Sequence, residues 1–148
     1  MTKTLIKGGT IISMDRKTGD FAKGDILVNG TEIEKIGKSI RSPGAKVIDA
    51  TGMIVMPGFV NAHLHTWQTG IRGVAGNWSI PEYLHQMHAT IAPRYTAKDT
   101  YLGNLVGALN QINLGATSVF DWCHNNSTPA HSDAGVRGLQ ESGIRALF

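Results

Sequence analysis

Two hydrophobic rhythms divide the chain. Up to residue 56 the apolar positions fall in short runs bounded by glycines and charged turns, the pattern of β-strands. Residues 4–7 and 10–14 flank Gly8-Gly9, residues 25–28 and 32–36 flank Asn29-Gly30, and residues 46–48 and 53–56 flank Asp49-Ala50-Thr51-Gly52. Asn29-Gly30 favours a type I′ hairpin turn, because both residue types tolerate positive φ. Strand follows strand here without intervening helices, so residues 1–56 are predicted to form a small antiparallel unit, part of a β-sandwich.

From residue 57 helical periodicity enters. Residues 53–62 read as a short buried strand broken by Pro57-Gly58. Ser79-Ile80-Pro81-Glu82 is a capping box with proline in the first turn, which predicts a helix over 80–91. A second helix starts at Thr96-Ala97-Lys98-Asp99. Its apolar residues Tyr101, Leu102, Leu105, Val106, Leu109 and Ile112 recur at spacings of three and four, as an amphipathic helix requires. Gly115 stops it. A strand over 117–122, a helix over 129–141 capped by Thr128 and a new strand from Ile144 complete the pattern. Alternating strands and helices of this kind build parallel sheets of the α/β class.

Charge refines the division. The formal net charge is +3 over 148 residues, with 41% hydrophobic and 17% charged residues. Residues 1–56 carry nine Lys or Arg against six Asp or Glu, whereas residues 57–148 carry five of each, so the whole excess lies in the leader. Lys35, Lys38, Arg41 and Lys46 are scattered there without interleaved aromatics, which argues against a nucleic-acid face. The single Cys123 excludes an intrachain disulfide. No apolar run approaches the ~18 residues of a membrane span, and the N-terminus lacks the apolar core of a signal peptide. A cytoplasmic protein without membrane or nucleic-acid partners is expected.

The chemistry concentrates where the second rhythm begins. His63 and His65 sit at the end of an apolar strand, and residues two apart on a strand point to the same side. Their imidazoles aim at one point and suit zinc, iron, copper or nickel, although a catalytic centre needs at least three protein ligands. Asp121, Trp122, Cys123 and His124 end the next strand on the same rim. His124 is a candidate for touching substrate, or for bonding the neighbouring loop. Cys123 reads as a small buried hydrophobe. His85 and His88 stand three apart on the predicted helix, but nothing nearby supplies a third ligand, so they and His131 read as solvated or loop-packing residues. Gln68 offers both a donor and an acceptor, which a ring nitrogen beside an exocyclic group demands. Trp67 could stack on a flat ring or pack between loop and scaffold.

Pro57-Gly58-Phe59-Val60-Asn61-Ala62-His63-Leu64-His65 resembles the first-strand signature of the amidohydrolase superfamily, metal-dependent hydrolases built on a (β/α)8 barrel. Trp67-Gln68 and Ile71-Arg72-Gly73 resemble its branch of aminohydrolases and chlorohydrolases acting on nitrogen heterocycles such as guanine, cytosine and triazines. The leader ending in Asp49-Ala50-Thr51-Gly52-Met53-Ile54-Val55-Met56-Pro57-Gly58 is similar too. The resemblance implies an α/β chain that starts a TIM-type barrel. Residues 1–56 would be the N-terminal part of a β-sandwich domain, and residues 57–148 the first βα units, ending inside strand 3.

Such a barrel needs roughly 250 residues, so the chain is expected to be an N-terminal portion, inactive alone, with its catalytic residues beyond Phe148. The implied chemistry is hydrolytic deamination or dechlorination of a small nitrogen heterocycle, with room for a homo-oligomer. His63 and His65 would hold one divalent metal, zinc ahead of iron. Gln68 would contact the heterocycle, Trp67 and His124 would line the substrate pocket, and Arg72 would brace the loop. Two alternatives stay open: a binuclear cyclic amide hydrolase resembling dihydropyrimidinases, and a non-catalytic fragment or assembly partner.

Overall fold

Strand β1, Lys3–Ile11, is the axis of the N-terminal part in the computed structural model, which describes residues 3–148. Gly8-Gly9 does not split it into two strands. Gly8 adopts a positive φ of 80° and the register slips on both sides of Gly9, so the strand kinks through a bulge and continues. β2, Phe21–Asn29, pairs antiparallel with β1, matching Leu5 with Leu27. β3, Glu32–Gly37, pairs antiparallel with β2 on its other side. Asn29 faces Glu32, so the hairpin loop is Gly30-Thr31 and only Gly30 has positive φ. That is the pattern of a type II′ turn rather than the expected type I′ turn centred on Asn29-Gly30.

The expected all-antiparallel unit is corrected by the next two strands. β4, Lys46–Asp49, and β5, Ile54–Val55, both run parallel to β1, giving a mixed five-stranded sheet of order β3-β2-β1-β4 with β5 also beside β1. The crossover from β3 makes this arrangement possible. Ile40 is buried with Leu5 and Leu27, and its N–H donates to Oδ2 of the buried Asp25 at 2.8 Å while Gly8 N–H donates to Oδ1 at 2.9 Å. One carboxylate thus ties the crossover to the bulge.

Residues 1–57 and 58–148 are two compact units. The boundary divides the strand expected over 53–62: β5 belongs to the first sheet, and β6, Phe59–Leu64, opens a second. In that sheet β6, β7 (Ala116–Asp121) and β8 (Arg145–Leu147) lie parallel in this order. β6 is not buried, Phe59 and Val60 being 60% and 71% exposed, because it stands at the edge of the sheet and pairs on one side only.

Two long helices pack on the sheet. α2, Ala97–Asn113, follows the four-residue α1, Ile80–Tyr83, and α3, Pro129–Ser142, follows β7. Ala108 of α2, Val119 of β7, Leu139 of α3 and Ile144 form the core, with Leu64 against it. The face of α2 that packs is not the apolar stripe of the sequence. Leu102, Val106, Leu109 and Ile112 are exposed, while Thr100, Gly103, Asn104, Gly107 and Ala108 are buried. Small residues win because they allow close approach: a Cβ on Gly103 would meet the Trp67 carbonyl oxygen at 2.5 Å, and one on Gly138 the Tyr101 carbonyl oxygen at 2.6 Å.

The expected helix over 80–91 is also revised. The Ser79–Glu82 capping box forms, yet after Tyr83 the chain widens into a π-helical stretch, Leu84–Ile91, followed by a 3₁₀ turn at Ala92–Arg94. Thr128 takes the N-cap position of α3 but makes no cap bond; its hydroxyl lies 2.7 Å from Nδ1 of His131. No helix among the described residues is long and apolar enough to cross a membrane.

Candidate metal centre

The site is built at the C-terminal ends of β6 and β7. Trp122, just after β7, clamps the end of β6 through its backbone. Its N–H donates to the Leu64 carbonyl at 2.8 Å, and its carbonyl lies 2.7 Å from Nδ1 of His65. A carbonyl only accepts, so Nδ1 of His65 carries the proton and Nε2 keeps a bare lone pair. His63 and His65 stand edge to face with ring centroids 4.9 Å apart, and His63 lies beside the exposed indole of Trp122.

The turn after the histidines is anchored by a buried carboxylate. Thr66 N–H donates to Oδ1 of Asp121 at 3.1 Å, and Nδ2 of Asn104 donates to Oδ2 at 2.9 Å and to the Gly135 carbonyl at 3.2 Å. Burial pushes the Asp121 carboxyl above the usual carboxylate range, opposed by the bonds from Thr66 and Asn104 and by the nearby His65. Asp121 and Asn104 together therefore hold β7, α2, α3 and the residue following His65.

Trp67 does not present a face to a ligand. It is 0% exposed, packed with Met87 and Ala92 and edge-on to Tyr95, so it packs as scaffold and cannot stack on substrate. Its indole N–H donates to Nδ1 of His124 at 3.0 Å. His124 in turn lies 4.1 Å from His65 and 4.2 Å from His88, between ring centroids. Desolvation, and then repulsion from His65, His88 and His63, brings the His124 imidazole down to about 4.

His88 is the residue the spacing argument missed. An i, i+3 reading pairs it with His85 on a solvated face, but the π-helical winding sets it against Tyr83, five residues earlier, at 5.0 Å. Desolvation lowers its pKa. No sequence signal marks a π-helical stretch, which is common at functional sites. Gln68 lies on the other flank, its amide donating to the Tyr83 hydroxyl at 2.7 Å. With His63, His65, Thr69 and Arg72 it lines an open cleft of about 370 Å³. Arg72 lines the same cleft, and its backbone N–H donates to the Thr69 carbonyl at 3.4 Å.

The remaining candidates are structural. Cys123 is half-buried, and burial raises its thiol to about 11. His131 donates from Nε2 to the Tyr95 carbonyl at 3.0 Å, joining loop to helix. Among the described residues no group of three or more His, Cys, Asp or Glu is placed to hold a metal. His63 and His65 stand together by themselves, and a catalytic metal would need at least one further ligand.

The amidohydrolase family profile matches residues 46–122, just over half of the chain. The chain belongs to the amidohydrolase family. Other members frame it: 33% identity over 146 residues with the 5′-deoxyadenosine deaminase of Methanosarcina mazei, covering 99% of this chain and 32% of that protein. The 5-methylthioadenosine/S-adenosylhomocysteine deaminase of Symbiobacterium thermophilum is 35% identical over 150 residues, covering 99% and 33%. This amidohydrolase chain thus spans about a third of the length of the curated relatives it matches.

Among solved structures, a mutant of the atrazine chlorohydrolase of Arthrobacter aurescens, complexed with zinc and atraton, superposes with a TM-score of 0.88 at 23% identity, over 97% of this chain and 34% of that one. A zinc-bound adenosine deaminase of Xanthomonas campestris gives 0.83 at 22% identity, over 99% and 33%. At these identities the structures speak to the fold, which is mixed α/β.

Proposed function

We propose that this chain supplies the first metal ligands and part of the substrate pocket of a zinc-dependent aminohydrolase acting on an adenosine-type nucleoside. Its second unit would begin a (β/α)8 barrel, and its first would be part of a β-sandwich domain. The observation that carries the reading is the pair His63 and His65 at the end of a parallel strand, with Nδ1 of His65 spent on the Trp122 carbonyl and Nε2 bare. This donor set fits zinc, a borderline-soft ion that takes neutral imidazole nitrogen. Deamination is favoured over dechlorination because the relatives above 30% identity are named as adenosine-derivative deaminases, whereas the chlorohydrolase resemblance lies at 23%.

His63 and His65 would hold the ion, each through one ring nitrogen. When bound, such an ion supplies Lewis acidity and lowers the pKa of a water toward ~7. Trp122 and Asp121 keep the two imidazoles in register by fixing the end of β6 and the turn that follows it. Gln68, held by Tyr83 on the wall of the cleft, orients the heterocycle through its amide. The net reaction exchanges an exocyclic amino group for oxygen: water adds at the ring carbon, a proton moves to the amino nitrogen and ammonia leaves.

The test is the metal content after exhaustive dialysis of the purified protein in which this chain is joined to the rest of its barrel, combined with release of ammonia from 5′-deoxyadenosine. One tightly held zinc and ammonia release support the reading. Two metals per chain, or zinc without ammonia release from any adenosine derivative, would overturn it.

A further inference from the structure

Beside the proposed metal pair lies a second cleft of about 500 Å³, lined by His88, Cys123, His124, Asn125, Asn126 and Ser127. No residue lining it carries a formal charge at neutral pH, since Cys123 stays a thiol, Ala92 and Pro93 are apolar, and the remainder are amides, a hydroxyl and neutral imidazoles. One of its hydrogen-bond donors is fixed by its partner, and a second group is an amide without one. Indole nitrogen only donates, so Nδ1 of His124, which receives Trp67, is unprotonated, and the proton of the neutral ring sits on Nε2. Asn125 is 3% exposed and its Nδ2 has no hydrogen-bond partner. A buried amide without a partner is destabilising, which marks a position open to an acceptor. The other asparagine is already spent, Asn126 bonding Cys123 through both ends of its amide.

The same hydrogen bond separates His124 from its neighbours. Of the imidazoles clustered here, His65 offers a bare Nε2 and suits an ion, while His124 offers an N–H and suits an acceptor. We infer that the His88–His124–Asn125 cleft is a sugar subsite, in which His124 Nε2–H and Asn125 Nδ2–H donate to the neutral vicinal hydroxyls of the nucleoside. This rests on the nucleoside reading above and deepens it. The compounds named for the relatives, 5′-deoxyadenosine, 5-methylthioadenosine and S-adenosylhomocysteine, differ at the 5′ position and share the 2′ and 3′ hydroxyls. An uncharged, donor-lined cleft matches the shared part and not the charged tail of one of them.

The experiment compares deamination of adenosine and 2′,3′-dideoxyadenosine by the zinc-loaded protein with its barrel complete and by its Asn125→Ala variant. One hydrogen bond of typical strength is worth up to about tenfold, so two give the wild type a preference for adenosine approaching 100-fold in kcat/KM. Asn125→Ala lowers that preference about tenfold, by slowing adenosine and leaving the dideoxy substrate within about twofold. Equal slowing of both substrates, or no preference in the wild type, overturns the subsite and leaves the deaminase reading standing. Deamination of neither substrate by the wild type overturns both.

An independent readout is the imidazole ¹⁵N spectrum of the zinc-loaded protein, which identifies the protonated ring nitrogen. His124 protonated at Nε2 in the wild type, and a mixture of tautomers in Trp67→Phe, is the expected result. Protonation at Nδ1 in the wild type overturns the assignment. Should Trp67→Phe not fold, the wild-type spectrum and the Asn125→Ala comparison decide alone.

Discussion

His65 illustrates how much depends on one proton. Its Nδ1–H is committed to the Trp122 carbonyl, which leaves Nε2 as the nitrogen that would ligate the proposed metal. His63→Ala or His65→Ala is expected to weaken zinc binding more than about 100-fold, beyond the range seen for outer hydrogen-bond partners, measured by competition with a chelator. Cys123 makes the opposite case. With its thiol raised to about 11 by burial, the thiolate fraction grows tenfold per pH unit up to that value, and thiolate is the reactive form. Alkylation of the folded protein should be negligible at pH 8 and accelerate steeply between pH 9 and 11; rapid labelling at pH 8 would contradict the burial argument. His63, His65 and Gln68 stand out in the sequence as candidates for chemistry, and Cys123 as a small buried hydrophobe, which its burial here bears out. His88 was not, because its place depends on the wider winding of residues 84–91.

At the scale of elements, glycine and not leucine decides how α2 sits. The Gly103 and Gly107 surface approaches residues 66–71, and the Gly135 and Gly138 surface of α3 approaches α2. Gly103→Ala is expected to destabilise the fold by about 1–3 kcal/mol, the usual cost of overpacking, read from the urea midpoint. Thr96→Ala removes the N-cap that accepts from Asp99 N–H at 3.3 Å, at a cost of about 1 kcal/mol. A loss at Thr96 larger than at Gly103 would mean that helix ends rather than helix contacts limit stability. The helix itself was readable from its cap and its periodicity. Which face it buries was not, since the apolar spacing of Leu102, Val106 and Leu109 points away from the observed contacts.

Over the whole molecule, large apolar side chains remain exposed on both units, among them Ile33, Val47 and Ile54 in the first and Phe59, Val60 and Leu114 in the second. Exposed apolar surface of this extent marks interaction sites or association. The purified 148-residue chain should bind a hydrophobic dye and elute with a concentration-dependent apparent mass; a dye-silent monomer across a wide concentration range would contradict this. The sequence by itself determined what depends on neighbours in the chain: strands bounded by turn residues, capping boxes at Ser79 and Thr96, two imidazoles on one side of a strand, and the change of rhythm near residue 57. Only the tertiary structure decided what depends on residues distant in sequence. Whether β4 runs parallel or antiparallel rests on where the 38–45 crossover is anchored by Asp25. Which ring nitrogen of each imidazole carries the proton rests on partners 57 residues away, Trp122 for His65 and Trp67 for His124. Periodicity reports local geometry, whereas a proton's position on a ring is set by whatever the fold brings against it.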